Sequence, residues 1–94
     1  MKVRQVISES SGCAVANQFI IEGEHNGQKG EIFQSYNTAI AFRPASGASI
    51  VLDKNRWDCS KTTGRYRNQF LGEKKAKTLK KIKSGEYILA DLNK

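Results

Sequence analysis

The spacing of the apolar residues changes near residue 60, and this change limits the folds open to the chain. Before it, apolar residues fall in short runs rich in β-branched and aromatic side chains, at residues 3–7, 15–23, 31–36, 38–43 and 48–52. Runs of this kind between polar turn residues predict strands. After it, apolar residues recur every three or four positions, which predicts helices. We therefore expect an α+β fold, with an antiparallel sheet of about four to five strands followed by a C-terminal helical pair.

Turn residues between these runs predict two hairpins. Asn26 and Gly27 separate the second run from the third, and this dipeptide is the strongest short signal for a two-residue hairpin turn. The single proline, Pro44, begins a Pro-Ala-Ser-Gly segment between the fourth and fifth runs, where proline and glycine favour a turn. Neighbouring runs should therefore pair in antiparallel fashion.

The first predicted helix carries start and stop signals. Residues 60–63 are Ser-Lys-Thr-Thr and offer several hydroxyl oxygens for an N-cap. Tyr66 and Phe70 are spaced i, i+4 and share one helical face, while Gly72 is suited to the left-handed residue that ends a helix. We expect Phe70 on this face to belong to the core.

A second helix is predicted over residues 73–83. Ala76, Leu79 and Ile82 form a narrow apolar stripe along it, which we expect to pack on the sheet. Residues 86–89 favour a final short strand.

The basic residues are concentrated in one part of the chain. Residues 54–85 hold eleven of the sixteen Lys and Arg residues and two of the nine acids, a net charge of +9. Residues 1–53 and 86–94 each have a net charge of −1. We expect a single domain over residues 1–94, with a mainly stranded part up to residue 53 and a mainly helical, basic part over residues 60–84. A one-sided positive field of this kind attracts polyanions.

Two segments of this basic region are candidate binding sites. Around the start of the first helix, free backbone amides, hydroxyls and cations could hold a phosphate, with aromatic rings beside them to stack on bases. Along the second helix, lysines have few acids to neutralise them, and Glu73 with Lys77 is the one i, i+4 pair. The candidate contacts are Arg56, Trp57, Lys61, Thr62, Thr63, Arg65, Tyr66, Arg67, Lys74, Lys77 and Lys81. Two alternatives stay open: plain helix capping at the first segment, and a solvated helix at the second.

Other classes of function receive little support. Cys13 and Cys59 lack the spacing of a zinc site, so we expect two reduced, partly buried thiols in a cytoplasmic protein. The single histidine, His25, lies in the predicted turn. We predict no cofactor, no metal site and no catalytic residue, and we expect neither a signal peptide nor a membrane span because no apolar run is long enough.

Two segments of the chain form a distinctive pattern, Ser-Tyr-Asn-Thr at residues 35–38 and Ser-Lys-Thr-Thr-Gly-Arg-Tyr-Arg-Asn at residues 60–68. With this pattern the chain resembles a group of small uncharacterised proteins common in bacteriophages and mobile elements. Tyr66 stands where that pattern has a histidine, so a role that depends on an imidazole would be absent. The resemblance implies a phage-type origin and carries no function with it.

These observations leave several hypotheses of different classes. The first is a non-enzymatic protein that binds DNA or RNA through its basic C-terminal face. The alternative is an inhibitor that docks the same face on an acidic or nucleic-acid-binding host complex, of the kind that serves host defence or replication. A virion component and a small enzyme built on Cys59 and His25 are further alternatives. A homodimer through an exposed sheet edge is compatible with each of them.

Overall fold

A computed structural model describes residues 2–93, and its strands and helices follow the predicted order. The elements are β1 (Val3–Ile7), β2 (Ala14–His25), β3 (Gln28–Ser35), β4 (Thr38–Pro44), β5 (Val51–Asp53), α1 (Lys61–Leu71), α2 (Lys75–Ser84) and β6 (Ile88–Ala90). The predicted α+β class, a sheet followed by two C-terminal helices, is confirmed.

The strands form one six-stranded sheet in the order β1-β2-β3-β4-β5-β6. The first five strands pair in antiparallel fashion, as predicted. The last strand, β6, pairs parallel to β5, because α1 and α2 lie between them and return the chain to the same end of the sheet. The sheet is therefore one strand larger than the range predicted from the sequence.

The first hairpin turn has the backbone that its sequence favours. Asn26 and Gly27 both adopt positive φ, 51° and 77°, as a type I′ turn requires of its two central residues. The following register pairs His25 with Gln28 and continues to Gln18 with Ser35. The turn thus sets the register of the two longest strands.

The hydrophobic core lies between one face of the sheet and α1. Phe33 is fully buried in β3, and its ring stacks on that of Phe70 with centroids 5.8 Å apart. Tyr66 is 8% exposed on the same side of α1. The helix begins after Ser60, whose side chain accepts a hydrogen bond from the Thr63 amide. Both the predicted cap and the predicted apolar face of α1 are confirmed.

The orientation of α2 differs from the prediction. The structure leaves Ala76 and Leu79 exposed, the latter by 42%, while Thr78 is completely buried and Ile82 is half-buried. The helix also begins at Lys75, after the predicted start at residue 73. The reason is a polar contact, because the Thr78 hydroxyl forms its hydrogen bonds inside the protein. This orientation of α2 turns part of the apolar stripe towards solvent.

Two further expectations about single residues were wrong. Cys13 and Cys59 are both exposed, because each lies in a connecting segment outside the core. His25 is the last residue of β2, and its ring packs against Phe42 with centroids 5.5 Å apart. Among residues 2–93, no helix is long and apolar enough to cross a membrane.

Candidate nucleic-acid interface

The hydroxyl groups at the start of α1 are already used within the fold. Ser60 caps the helix, and the Thr63 hydroxyl lies 2.9 Å from that of Ser35 in β3. Thr63 is 3% exposed. The capping alternative is therefore correct for Ser60, and Thr63 does not offer its hydroxyl to a ligand. Lys61 and Thr62, in the first turn of α1, remain exposed.

Arg67 is a structural residue. Its side chain is 1% exposed, and its guanidinium donates hydrogen bonds to the carbonyl of Trp57 (2.7 Å), to Asp58 Oδ1 (3.2 Å) and to Asn68 Oδ1 (3.0 Å). The same group lies 5.0 Å from the centre of the Trp57 ring. The prediction that Arg67 contacts a phosphate is wrong, since its donors are turned inward to join α1 to the preceding turn.

The predicted pair of stacking aromatic residues is not available as a pair. Tyr66 belongs to the core, so it cannot stack on a base without unfolding. Trp57 is half-buried, packs against the core and has the Arg67 guanidinium beside its ring. Sequence reasoning could not separate these roles, because an aromatic residue on a helix is equally suited to a core and to a surface.

Lys81 is engaged in a polar network centred on Glu73. The Glu73 carboxylate, 4% exposed, accepts hydrogen bonds from Lys81 Nζ (2.7 Å), the Thr78 hydroxyl (2.7 Å) and the Tyr87 hydroxyl (2.9 Å). Lys81 is therefore not a free phosphate contact, and the predicted Glu73–Lys77 pair is replaced by Glu73–Lys81. The side chain that anchors α2 is a carboxylate outside the helix, which no apolar pattern reveals.

The protonation of this network follows from its contacts. Burial alone would raise the pKa of Glu73, but the hydrogen bonds from Lys81, Thr78 and Tyr87 more than offset it, so the pKa lies below its ordinary value. The hydrogen bond to Glu73 raises the pKa of Lys81 above its ordinary range. Burial, and then the Glu73 carboxylate, raise the pKa of Tyr87. At neutral pH the network thus contains a carboxylate, an ammonium and a neutral phenol.

Asp58, the other acid of the basic segment, is also neutralised internally. Lys75 Nζ lies 2.5 Å from Asp58 Oδ2, and Arg67 binds the other carboxylate oxygen. The hydrogen bond from Lys75 is the largest cause of a lowered pKa at Asp58, and the bond from Arg67 adds to it. Both acids of residues 54–85 are therefore held by Arg67, Lys75 and Lys81.

The remaining eight cations of this segment form what we call the basic surface. All eight are exposed, and within residues 2–93 none has a carboxylate within salt-bridge distance. They are Lys54, Arg56, Lys61, Arg65, Lys74, Lys77, Lys80 and Lys83. Five of them were predicted as contacts, and Lys54, Lys80 and Lys83 were not. Because Lys75 and Lys81 are paired, Lys77, Lys80 and Lys83 are the outward lysines of α2.

A groove lies beside the basic surface, between the β1–β2 loop and α1. Arg65 Nη2 donates a hydrogen bond to the hydroxyl of Ser10, 2.8 Å away, and Ser10 in turn lies 3.0 Å from the Ser8 hydroxyl. Lys74 and Asn68 also line this open cavity of about 490 Å³. Its lining combines two cations with hydroxyl and amide groups, which suit a phosphate, and it also includes the carboxylates of Glu9 and Glu73, of which Glu73 is already paired with Lys81. Sequence reasoning missed the two serines because they are more than fifty residues from Arg65.

These features define a small α+β protein with an uncovered basic surface on its helical side. The chain belongs to a family of unknown function, DUF8033, whose model matches residues 1–86. The match covers the sheet up to β5 and both helices. No curated protein and no solved structure matches the chain.

Proposed function

We propose that the protein binds nucleic acid through the basic surface, without catalysing a reaction on it. The observation that carries the proposal is the internal use of both acids of residues 54–85, which leaves eight exposed cations with no carboxylate partner among residues 2–93. Uncompensated like charges destabilise a fold, and a polyanion that neutralises them removes this cost.

The groove beside Arg65 gives this surface a place for one backbone phosphate. Arg65 presents a planar guanidinium, and Lys74 faces the same cavity from the start of α2. Arginine binds phosphate oxygens in a bidentate geometry, whereas lysine acts as a point charge. We propose that Arg65 and Lys74 hold a phosphate in the groove while Lys77, Lys80 and Lys83 contact neighbouring phosphates or steer the approach.

Binding of this kind is dominated by counterion release. The logarithm of the binding constant should fall with the logarithm of salt concentration by about 0.9 for each duplex phosphate that is neutralised. Aromatic stacking should add little, because Tyr66 is in the core and Trp57 is half-buried. We therefore expect strong salt dependence with weak sequence preference.

The test is a fluorescence-anisotropy titration against single- and double-stranded DNA and RNA of equal length, at several salt concentrations. The variant Lys74→Ala/Lys77→Ala should flatten the slope on duplex DNA by about 1.8 and weaken binding about 30-fold at 0.15 M salt. The matched control is Lys2→Ala/Lys29→Ala, which removes the same charge from two exposed lysines outside the basic surface. An affinity that does not change with salt, or an equal loss in the control, would refute the proposal.

The titration, together with a capture experiment, distinguishes nucleic-acid binding from the alternative function as an inhibitor of a host protein. A host protein that the chain captures from lysate after complete nuclease digestion, combined with no measurable binding to the four nucleic acids, would assign the basic surface to an acidic protein partner. In either case we place the activity in the cytoplasm, of the host cell if the protein is phage-encoded.

A further inference from the structure

One row of apolar side chains crosses the whole sheet on the face that carries no helix. The register pairs Val3 with Ile21, Ile21 with Ile32, and Ile32 with Phe42. It then pairs Phe42 with Val51 and Val51 with Ile88. Directly paired residues project from the same face of a sheet, so the row extends from edge to edge of all six strands.

This row lies on the opposite face from the core. Phe33 and Leu52, the neighbours of Ile32 and Val51 along their strands, belong to the core cluster under α1. Phe42, in contrast, is 1% exposed yet lies outside that cluster, with the His25 ring against it. We call this side of the sheet the open face.

The charged residues of β1–β4 all lie on one face of the sheet. Arg4 pairs with the core residue Ile20, and the neighbouring rows on that side contain the other charged residues of β1–β4. These residues are Arg4, Glu22, Glu24, Lys29, Glu31 and Arg43, and all six lie on the helix side. Glu31 there bridges Arg4 at 3.0 Å and Arg43 at 2.8 Å.

Among residues 2–93, the accessible area of the open face carries no charged side chain. The row beside the apolar one on β1–β4 is Gln5, Phe19, Gln34 and Ala39, and the row on its other side includes Gly23, Gly30 and Pro44. The charged residue in the described part of these rows is Asp53, and it is buried, with 1% of its surface exposed. Its carboxylate accepts hydrogen bonds from the backbone amides of Asn55 and Leu92.

Four of the six residues of the apolar row are in contact with solvent. Val3 at one edge is 59% exposed, Ile88 at the other is 48% exposed, and Ile21 and Ile32 are half-buried. Phe42 and Val51 are buried, with 1% and 8% of their surface exposed. A sheet with one solvated face ordinarily carries polar residues on it. Apolar surface of this extent on a small protein marks an interaction site.

We propose that the open face is where two copies of this chain associate, sheet against sheet about a two-fold axis. The charge distribution selects this occupant. A chain of net charge +7 repels its own copy, but the open face is uncharged and lies opposite the helices that carry the basic surface. Association there keeps the two basic surfaces on the outside of the dimer, as far apart as the fold allows.

The dimensions fit a reversible dimer. Five strand spacings of about 4.8 Å give a width of about 24 Å, and the six steps between the seven residues of β2 from Phe19 to His25 give a length of about 20 Å. This outline is about 500 Å² per copy, or about 1,000 Å² in total. Because Phe42 and Val51 inside it are already buried, the contact belongs to the small, weak class of specific interfaces. Two twisted sheets pack in this way about 10 Å apart with their strands nearly aligned.

Sedimentation velocity on the full chain, from about 5 to 500 μM in 0.15 M and 0.5 M NaCl, tests the proposal. The wild type should dimerise with rising concentration, and more strongly at high salt because repulsion between the basic surfaces is screened. The variants Ile32→Lys and Val3→Lys should each weaken the dimer by about tenfold or more, because each buries a charge against its copy. Leu79→Lys, which adds the same charge at an exposed position of α2, is the matched control.

The outcomes are distinct. A wild type that stays monomeric through 500 μM at both salt concentrations would overturn the proposal, as would an equal effect of Val3→Lys and Leu79→Lys. If circular dichroism shows that Ile32→Lys is unfolded, Val3→Lys remains the deciding variant, because that position is already 59% exposed.

Intermolecular contacts between the methyl groups of Ile21 and Ile32 in a mixed-label NMR sample would support the face-to-face arrangement. Contacts confined to the backbone of β1 or β6 would overturn it in favour of edge pairing.

Discussion

Replacing Glu73 with alanine should destabilise the attachment of α2 far more than truncation of Leu79, an exposed residue of the predicted apolar stripe. The carboxylate is 4% exposed and joins three partners, the Thr78 hydroxyl, the Tyr87 hydroxyl and the Lys81 ammonium. Thr78 is completely buried and Tyr87 is 5% exposed, so neither hydroxyl recovers a full hydration shell when the carboxylate is removed.

The magnitude follows from the two hydroxyl groups alone. A hydrogen bond to a charged acceptor contributes about 1.5 to 3 kcal/mol. Taking the lower value for each, the loss is about 3 kcal/mol, which corresponds to a fall of about 15 °C in Tm for a domain of this size. We leave Lys81 out of this sum because water can solvate its ammonium. The variant Glu73→Gln, which keeps a neutral acceptor, should lose about half as much.

The assay is urea unfolding followed by far-ultraviolet circular dichroism and by the fluorescence of Trp57, with hydrogen exchange to localise the change. Exchange should accelerate first in α2 and the following segment. Glu86→Ala is the matched control, since Glu86 is 62% exposed and 3.7 Å from the same Lys81, and it should leave the unfolding midpoint unchanged. If Glu73→Ala unfolds at the wild-type midpoint, the network does not hold α2 and the reasoning fails.

Three further outcomes follow from the same structure. Lowering the pH should destabilise the protein, because the pKa values of Glu31 and Asp58 in the folded state lie below their ordinary values of 4.5 and 3.8. The stability that these two carboxylates contribute is present above the ordinary pKa values and is lost as the pH falls through the folded pKa values. Urea unfolding midpoints between pH 7 and pH 3 will measure this loss. Leu79→Ala should change the free energy of unfolding by less than about 0.5 kcal/mol, because the side chain is 42% exposed; a loss of about 2 kcal/mol or more would restore the predicted apolar face of α2. Arg67→Met should cost about 3 kcal/mol and alter the fluorescence of Trp57, whereas an unchanged midpoint would contradict the structural role of the buried guanidinium.

Local signals in the sequence were sufficient for most of the secondary structure. The Asn26-Gly27 turn, the Ser60 cap and the left-handed Gly72 at the end of α1 each depend on the backbone preferences of one or two residues. The class of fold followed from the change of apolar spacing, because a strand and a helix bury different patterns of side chains.

The direction in which single side chains point was harder to predict. In the sequence, Arg67 and Lys81 cannot be distinguished from Arg65 and Lys77. In the structure, the first two side chains form ion pairs within the protein, whereas the last two are exposed. The difference is made by partners brought in from other elements, such as the Trp57 carbonyl and the Tyr87 hydroxyl. Such partners come close only through tertiary packing, so they are not found in the neighbouring sequence.

The α+β class of the chain and the concentration of positive charge in its helical part can both be predicted from the amino-acid sequence alone. Those properties are sums over local preferences and over formal charges, which do not depend on how the elements pack. The folded structure was needed to show which eight cations have no carboxylate partner within residues 2–93, and that one uncharged apolar row crosses six strands. Both results depend on strand register and on long-range hydrogen bonds, because a shift of one residue in register would move every side chain of a strand to the other face.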